Sequence, residues 1–406
     1  MTNINQILSI IFVLSMSISF SQYTNVFNVN YYVPYVIGII WIFIAILKYL
    51  ITRGKVINKN IIKFYLKIFI VPWIIFVIHN SIIYVSNTEE MYLKTAITGF
   101  LVMFITILSA CASIYIFKEK AYRYVMLSII ISFCMVIIKN LYLYGLSIVW
   151  EVIYKSLFTD EQFINPFEVS DITFAVAIII LAVSISCAKT TKEDRVYTII
   201  CWFIIIIGFK RIQFLALAII LIAIFIFKRI NNYRITIRLI KLTGMFVIII
   251  GLLYVYSIDS GILNNIINLY NINTMGRINM YTFISKYYDF SILFKGLGYG
   301  FTLRKLSEFG FIYVLHSDIL RFYVEFGFIV FTWWIWYSMI YASKKIAKKV
   351  SLNDAVSYFI ITLYLFILHF TDNTTNYFVT QFLYVTVTMS MAIIKKKSNY
   401  FNIKEL

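Results

Sequence analysis

The sequence predicts an all-α polytopic membrane protein, and three observations predict it. Hydrophobic residues make up 62% of the 406-residue chain and charged residues only 13%, whereas soluble domains lie nearer half apolar and a quarter charged. Stretches such as Val36–Leu47, Ile172–Ala188 and Phe214–Phe227 carry no charged group, and similar runs recur along the whole length. The two-residue alternation of barrel strands is absent, so helices are the means by which the backbone satisfies its hydrogen bonds in lipid. The whole chain, 1–406, reads as a single membrane domain.

In order, about twelve segments approach the ~20 residues that cross a bilayer. They are 5–22, 33–51, 62–85, 95–117, 122–145, 170–188, 196–209, 212–228, 242–258, 322–342, 355–370 and 377–394. The first resembles the apolar core of a signal peptide. Met1–Gln6 holds no Lys or Arg, however, and no small-x-small site follows cleanly, so a retained helix is expected. Pro72 falls inside the third segment and is expected to kink it. Cys111, Cys134, Cys187 and Cys201 are scattered in or beside apolar runs. Their spacing suits neither a disulfide framework nor a metal site, and they read as packing residues.

Orientation follows from the basic residues. Alternate loops hold Arg53 to Lys63, Lys118 to Arg123, Lys189 to Arg195, Lys228 to Lys241, Lys344 to Lys349 and the tail lysines, roughly two thirds of the 36 Lys and Arg residues. That side is expected to be cytoplasmic, with both termini on it. The net charge of +18 is then mostly a topological signal, and no nucleic-acid partner is expected. The outer loops become 23–32, 86–94, 146–169, a tight turn at 209–211, a long loop at 259–321 between spans nine and ten, and 371–376.

Two places break the apolar pattern. Lys210-Arg211 sits alone within Thr198–Phe227, on the outer side and against the positive-inside bias. Ionised groups at membrane depth are costly and usually functional; the alternative is a turn whose cations snorkel to the interface. The second is Gly276–Gly327, a polar, glycine-rich stretch. It opens with Gly276-Arg277, and a guanidinium suits phosphate oxygens. Tyr281–Phe294 has helical spacing. Gly296-Leu297-Gly298-Tyr299-Gly300 follows, permitting a tight loop or close approach to a ligand, although it matches no Walker or Rossmann pattern. Arg304 and Arg321 add cations, and His316-Ser317-Asp318 and Glu325 add titratable groups. His316 is placed to act as a base near neutral pH, whereas His79 and His369 read as histidines that merely bond backbone. No Asp-x-Asp motif or carboxylate cluster points to a metal.

The order of these features resembles the O-antigen polymerase and O-antigen ligase superfamily, the Wzy and WaaL type of membrane glycosyltransferase. An Arg in a short outer turn (Arg211) precedes a long loop opening with Gly276-Arg277. Gly298-Tyr299-Gly300-Phe301, then His316 and Glu325-Phe326-Gly327, complete it. Ser317 stands where that pattern usually has Asn. The resemblance implies an undecaprenyl-pyrophosphate-linked glycan donor and acceptor, used at the outer face of a bacterial inner membrane. It implies Arg211 and Arg277 on the leaving pyrophosphate and His316 as base for the acceptor hydroxyl, with inversion and no metal or cofactor. Lys210, Gly276, Gly298, Tyr299, Gly300, Arg304, Asp318, Arg321 and Glu325 would line the substrate site. The apolar bundle would hold the polyprenyl tails, and a chain-length regulator and a flippase are possible partners. A repeat-unit polymerase fits best. Alternatives are a ligase of the same superfamily, or a polysaccharide flippase or other transporter, for which functional charges would be expected in mid-bundle and no long outer loop.

Overall fold

The computed structural model describes residues 2–22, 30–52, 59–86, 93–158, 165–185, 191–230, 232–272, 274, 276–311 and 314–404. Among them the chain is all helical, with no strand. The first nine helices are α1 (Thr2–Phe20), α2 (Val33–Ile51), α3 (Lys59–Ser86), α4 (Leu93–Phe117), α5 (Ala121–Tyr144), α6 (Ser147–Phe158), α7 (Ser170–Ile185), α8 (Lys192–Gly208) and α9 (Arg211–Arg229). Next come α10 (Tyr233–Asp259), α11 (Ile262–Leu269), α12 (Arg277–Ile284), α13 (Phe301–Glu308), α14 (Asp318–Trp336), α15 (Ala342–Lys349), α16 (Leu352–Leu368) and α17 (Phe378–Lys404).

Six helical segments among the described residues are long and apolar enough to cross a membrane. They are α2, α3, α4 running into α5, α9, α10, and α14 continuing through α15. Shorter apolar helices cover Asn5–Phe20, Ser170–Ile185, Leu352–Leu368 and Phe378–Ile394. Large apolar side chains such as Ile222, Phe246 and Leu253 remain exposed on α9 and α10, a surface that lipid would cover and water would not. The acidic 146–169 segment, expected as a loop, contains α6, and α3 runs unbroken through Pro72. Helix α8 starts at a capping box: Thr191 Oγ1 accepts the Asp194 amide at 3.2 Å and Asp194 Oδ2 accepts the Thr191 amide at 3.0 Å.

The chain divides into two compact units. The first comprises residues 1–69, 105–225 and 376–406. At its centre α7 packs on α8 and α17, and α1 packs on α5 and α2. Small residues let α1 and α5 approach: Ser128 and Ser132 donate to the Val13 and Ser17 carbonyls at 3.2 and 2.8 Å. Buried Asp171 accepts the Val379 and Thr380 amides, at 3.0 and 2.8 Å, and the Thr380 hydroxyl at 2.9 Å. These amides are orphan donors of the first turn of α17, where a carboxylate also meets the positive end of the helix dipole. Asp171→Ala leaves them buried and unmet. The expected cost is about 2–3 kcal/mol, read as a lower melting midpoint in detergent; an unchanged midpoint would remove this cap from the account.

The second unit comprises residues 70–104 and 226–375. Helix α10 packs on α14 and, more lightly, on α12 and α16. Phe76 stacks on Phe326 at 4.1 Å between ring centroids, and Phe322 and Trp334 meet edge to face at 4.5 Å. Helix α14 breaks at Gly327, whose φ and ψ are 73° and 175°. The residues preceding α13 repair the break. Leu297 and Gly298 amides donate to the Val324 and Glu325 carbonyls, both at 2.9 Å, and the Phe328 amide donates to Phe294 O at 3.0 Å. Backbone groups freed by a break in a buried helix require such substitute partners.

Candidate functional site

In the second unit, polar groups gather where α14 begins and α16 ends. Ser317 starts α14, accepting the Leu320 amide at 3.2 Å, so Asp318 falls in the first turn with its side chain directed at residues 369–375. The Asp318 carboxylate is fully buried and uses both oxygens. Oδ1 receives Arg321 Nη2 and the Thr375 hydroxyl, each at 2.8 Å. Oδ2 meets His369 Nδ1 and receives the Thr375 amide, each at 2.9 Å. Arg321 also donates to Thr375 Oγ1 and lies 4.8 Å from the Phe322 ring centroid. The Asp318 and Ile319 amides donate to Asp372 O and His369 O at 3.2 and 3.1 Å. The knot pins residues 369–375 to α14, and its charges are paired, as burial requires.

Arg277 also meets these residues. It opens α12, is half-buried, and donates Nη1 to Thr371 O at 3.0 Å. Among the described residues it makes no ion pair. Tyr281, one turn later, donates to His316 O at 2.8 Å, and Tyr254 donates to Phe370 O at 3.2 Å. Burial, with Tyr254 and Asp372 nearby, pushes the Tyr281 phenol well above its usual value. It therefore stays a hydrogen-bond donor across physiological pH. His316 is half-buried just before α14. Arg277, His316, Asp318 and Arg321 are thus brought together around residues 369–375.

The other expected site residues are placed differently. Gly276 caps α12 with a φ of 77°. The Tyr299 amide donates to Asn80 Oδ1 at 2.8 Å, and its ring lies on Gly99, where an added Cβ would meet Tyr299 Cε1 at 2.3 Å. Gly298 is bonded to the α14 break, and Gly300 faces Thr95. Gly298, Tyr299 and Gly300 serve packing in the structure, and Gly276 serves the turn that opens α12. Arg304 Nε donates to Glu308 Oε1 at 2.5 Å on an exposed face, and that bond, with Lys305, holds the Glu308 carboxyl below its usual range. Glu325 is buried, accepts the Thr302 hydroxyl at 2.6 Å, and its Oε2 has no hydrogen-bond partner.

Lys210 and Arg211 belong to the first unit. Phe209, with a φ of 23°, makes the tight turn between α8 and α9. Lys210 Nζ donates to Ser170 Oγ at 2.6 Å, lies 3.4 Å from Glu168 Oε1, and stands 4.6 Å from the Phe174 ring centroid. The lysine is accounted for locally, whereas Arg211 is exposed. No group of His, Cys, Asp and Glu able to hold a metal occurs among the described residues.

The sequence reading missed His369. It was expected to bond only backbone, but it joins a buried carboxylate and also meets Thr374 Oγ1 at 2.9 Å. The available signal was Thr371-Asp372-Asn373-Thr374-Thr375-Asn376, a wholly polar run between two apolar helices. His79 behaves as expected, its Nε2 lying 2.8 Å from Lys295 O. Cys187 lies outside the described residues. Comparison of the chain with protein-family models, curated proteins and solved structures gave no significant match.

Proposed function

We propose that the chain is a membrane glycosyltransferase that polymerises polyprenyl-pyrophosphate-linked oligosaccharide repeat units at the outer face of a bacterial cytoplasmic membrane. In this account about twelve segments span the bilayer, both termini are cytoplasmic, and residues 259–321 form an outer loop.

The observation that carries the proposal is Arg277. Lys210, Arg304 and Arg321 each have a carboxylate within ion-pair distance, at 3.4, 2.5 and 2.8 Å, whereas Arg277 has none among the described residues. A half-buried, unneutralised guanidinium is costly without an anion, and a pyrophosphate supplies one. His316 is in the same unit, its carbonyl bonded to Tyr281 one turn after Arg277. In the proposed step the acceptor hydroxyl attacks the anomeric carbon as its proton passes to the His316 ring. The bond from that carbon to the pyrophosphate oxygen breaks, and polyprenyl pyrophosphate leaves with the electron pair. Arg277 offsets its charge.

Deleting the gene and resolving the surface glycan on a gel tests the assignment. Single repeat units without a ladder are expected. Loss of all attached glycan with a lipid-linked polymer accumulating indicates a ligase, and loss of even the first unit a flippase. At wild-type expression, Arg277→Ala and His316→Ala should each lower polymer formation by about 10²–10³-fold. Normal ladders from both variants and from Arg211→Ala would remove these residues from catalysis.

A further inference from the structure

Helix α10 carries a basic face at the end opposite Asp259. Arg234, Arg238 and Lys241 stand at positions i, i+4 and i+7, so all three share one face. All three are exposed. After α14 the chain passes through a π-helical turn, Tyr337–Tyr341, into α15. Lys344 and Lys348, four residues apart, share a face of α15.

The two faces meet at Lys241 and Lys344. The contact of Gly244 with Ile340 brings Lys241 and Lys344 close to each other. Like charges so placed repel, and the packing of the two elements keeps their side chains near each other. Gly244, one turn after Lys241, lies against Ile340, one turn before Lys344. An added Cβ there would meet Ile340 Cγ1 at 2.5 Å. A larger residue at 244 would push the elements apart and separate the amines. Among the described residues, Arg234, Arg238, Lys241, Lys344 and Lys348 make no ion pair with a carboxylate. Lys345, between the two α15 cations in sequence, is turned to Tyr341, donating to its hydroxyl with Nζ 4.7 Å from the ring centroid.

We propose that Lys241 and Lys344 clamp a phosphate group between α10 and the start of α15, with Arg238 and Lys348 flanking it. A phosphate oxygen between two ammonium groups turns their repulsion into two charge-assisted hydrogen bonds. The group would come from a phospholipid headgroup or from a soluble phosphate. Neither the glycosyl-transfer proposal nor the loop at 369–375 bears on it.

The test uses the full-length protein in phosphatidylcholine nanodiscs, with the melting midpoint read by tryptophan fluorescence. One arm adds inorganic phosphate against chloride at matched ionic strength. The other replaces part of the phosphatidylcholine with phosphatidylglycerol. A rise in midpoint is expected in at least one arm: phosphatidylglycerol alone marks a headgroup site, inorganic phosphate a soluble ligand. Lys241→Gln and Lys344→Gln should each raise the concentration of that ligand needed for half the shift by about tenfold. Arg234→Gln, about 10 Å along the helix, should leave it unchanged. In chloride and phosphatidylcholine the two lysine variants should melt no lower than wild type, because each removes a like-charge contact. A wild-type midpoint that moves in neither arm, variants that respond as wild type, or lysine variants destabilised without phosphate would each overturn the proposal.

Discussion

Asp318→Asn is expected to destabilise the second unit by about 3–5 kcal/mol. The carboxylate takes four donors on two oxygens: Arg321, His369 and both the amide and hydroxyl of Thr375. An amide of the same shape has one accepting oxygen. Its NH2 group must face donors on one side, and the Arg321 guanidinium loses its counter-charge while 8% exposed. The cost is therefore that of a stranded buried cation added to lost hydrogen bonds. Asp318→Asn with Arg321→Met should recover a large part of the loss, because the second change removes that cation. The Trp334 ring centroid lies 5.6 Å from that of His369, so Trp fluorescence reports directly on the knot. Melting of Asp318→Asn within about 0.5 kcal/mol of wild type would mean the knot contributes little.

Much of the helical content was legible in the sequence, because long apolar runs leave the backbone few alternatives. The break between α4 and α5 and the turn at Lys210-Arg211 follow from local signals, a basic loop and a lone charged pair, whereas the start of α14 at Asp318 lies four residues ahead of the 322–342 span read from the sequence. The knot at Asp318 did not follow. Its partners are 51 and 57 positions away in the chain, and nothing in the local pattern of His369 distinguishes a backbone-bonding histidine from one that meets a carboxylate. Glu325 shows the same limit, since its contact with Thr302 depends on how α13 folds back on α14. Lys210 looked like an isolated cation only because Glu168 and Ser170 lie some forty residues earlier.

The glycines from 296 to 300 illustrate how one pattern supports two accounts, and Gly327→Ala separates them. Alternating glycines suit close approach to a ligand, but here Gly296 and Gly327 approach each other. A Cβ on Gly327 would lie 2.3 Å from Lys295 C and 2.4 Å from Phe294 O, and one on Gly296 would lie 2.6 Å from both Glu325 O and Gly327 N. These neighbours are backbone atoms and cannot rotate aside. Gly327 also holds a φ of 73° with a ψ of 175°, a region that residues with a Cβ essentially do not enter. Strain and overlap together should cost about 3–5 kcal/mol. Gly276→Ala is the matched control. Its φ is 77°, but nothing lies within 4 Å of the added Cβ, so only the ~1–2 kcal/mol of a left-handed residue is expected. Denaturation of both variants in detergent measures the difference. If Gly327→Ala costs no more than Gly276→Ala, residues 294–298 are not seated on the broken helix. If it costs more, the conformation that positions Glu325 and Phe328 depends on that seat, and so does the unit that carries Arg277 and His316.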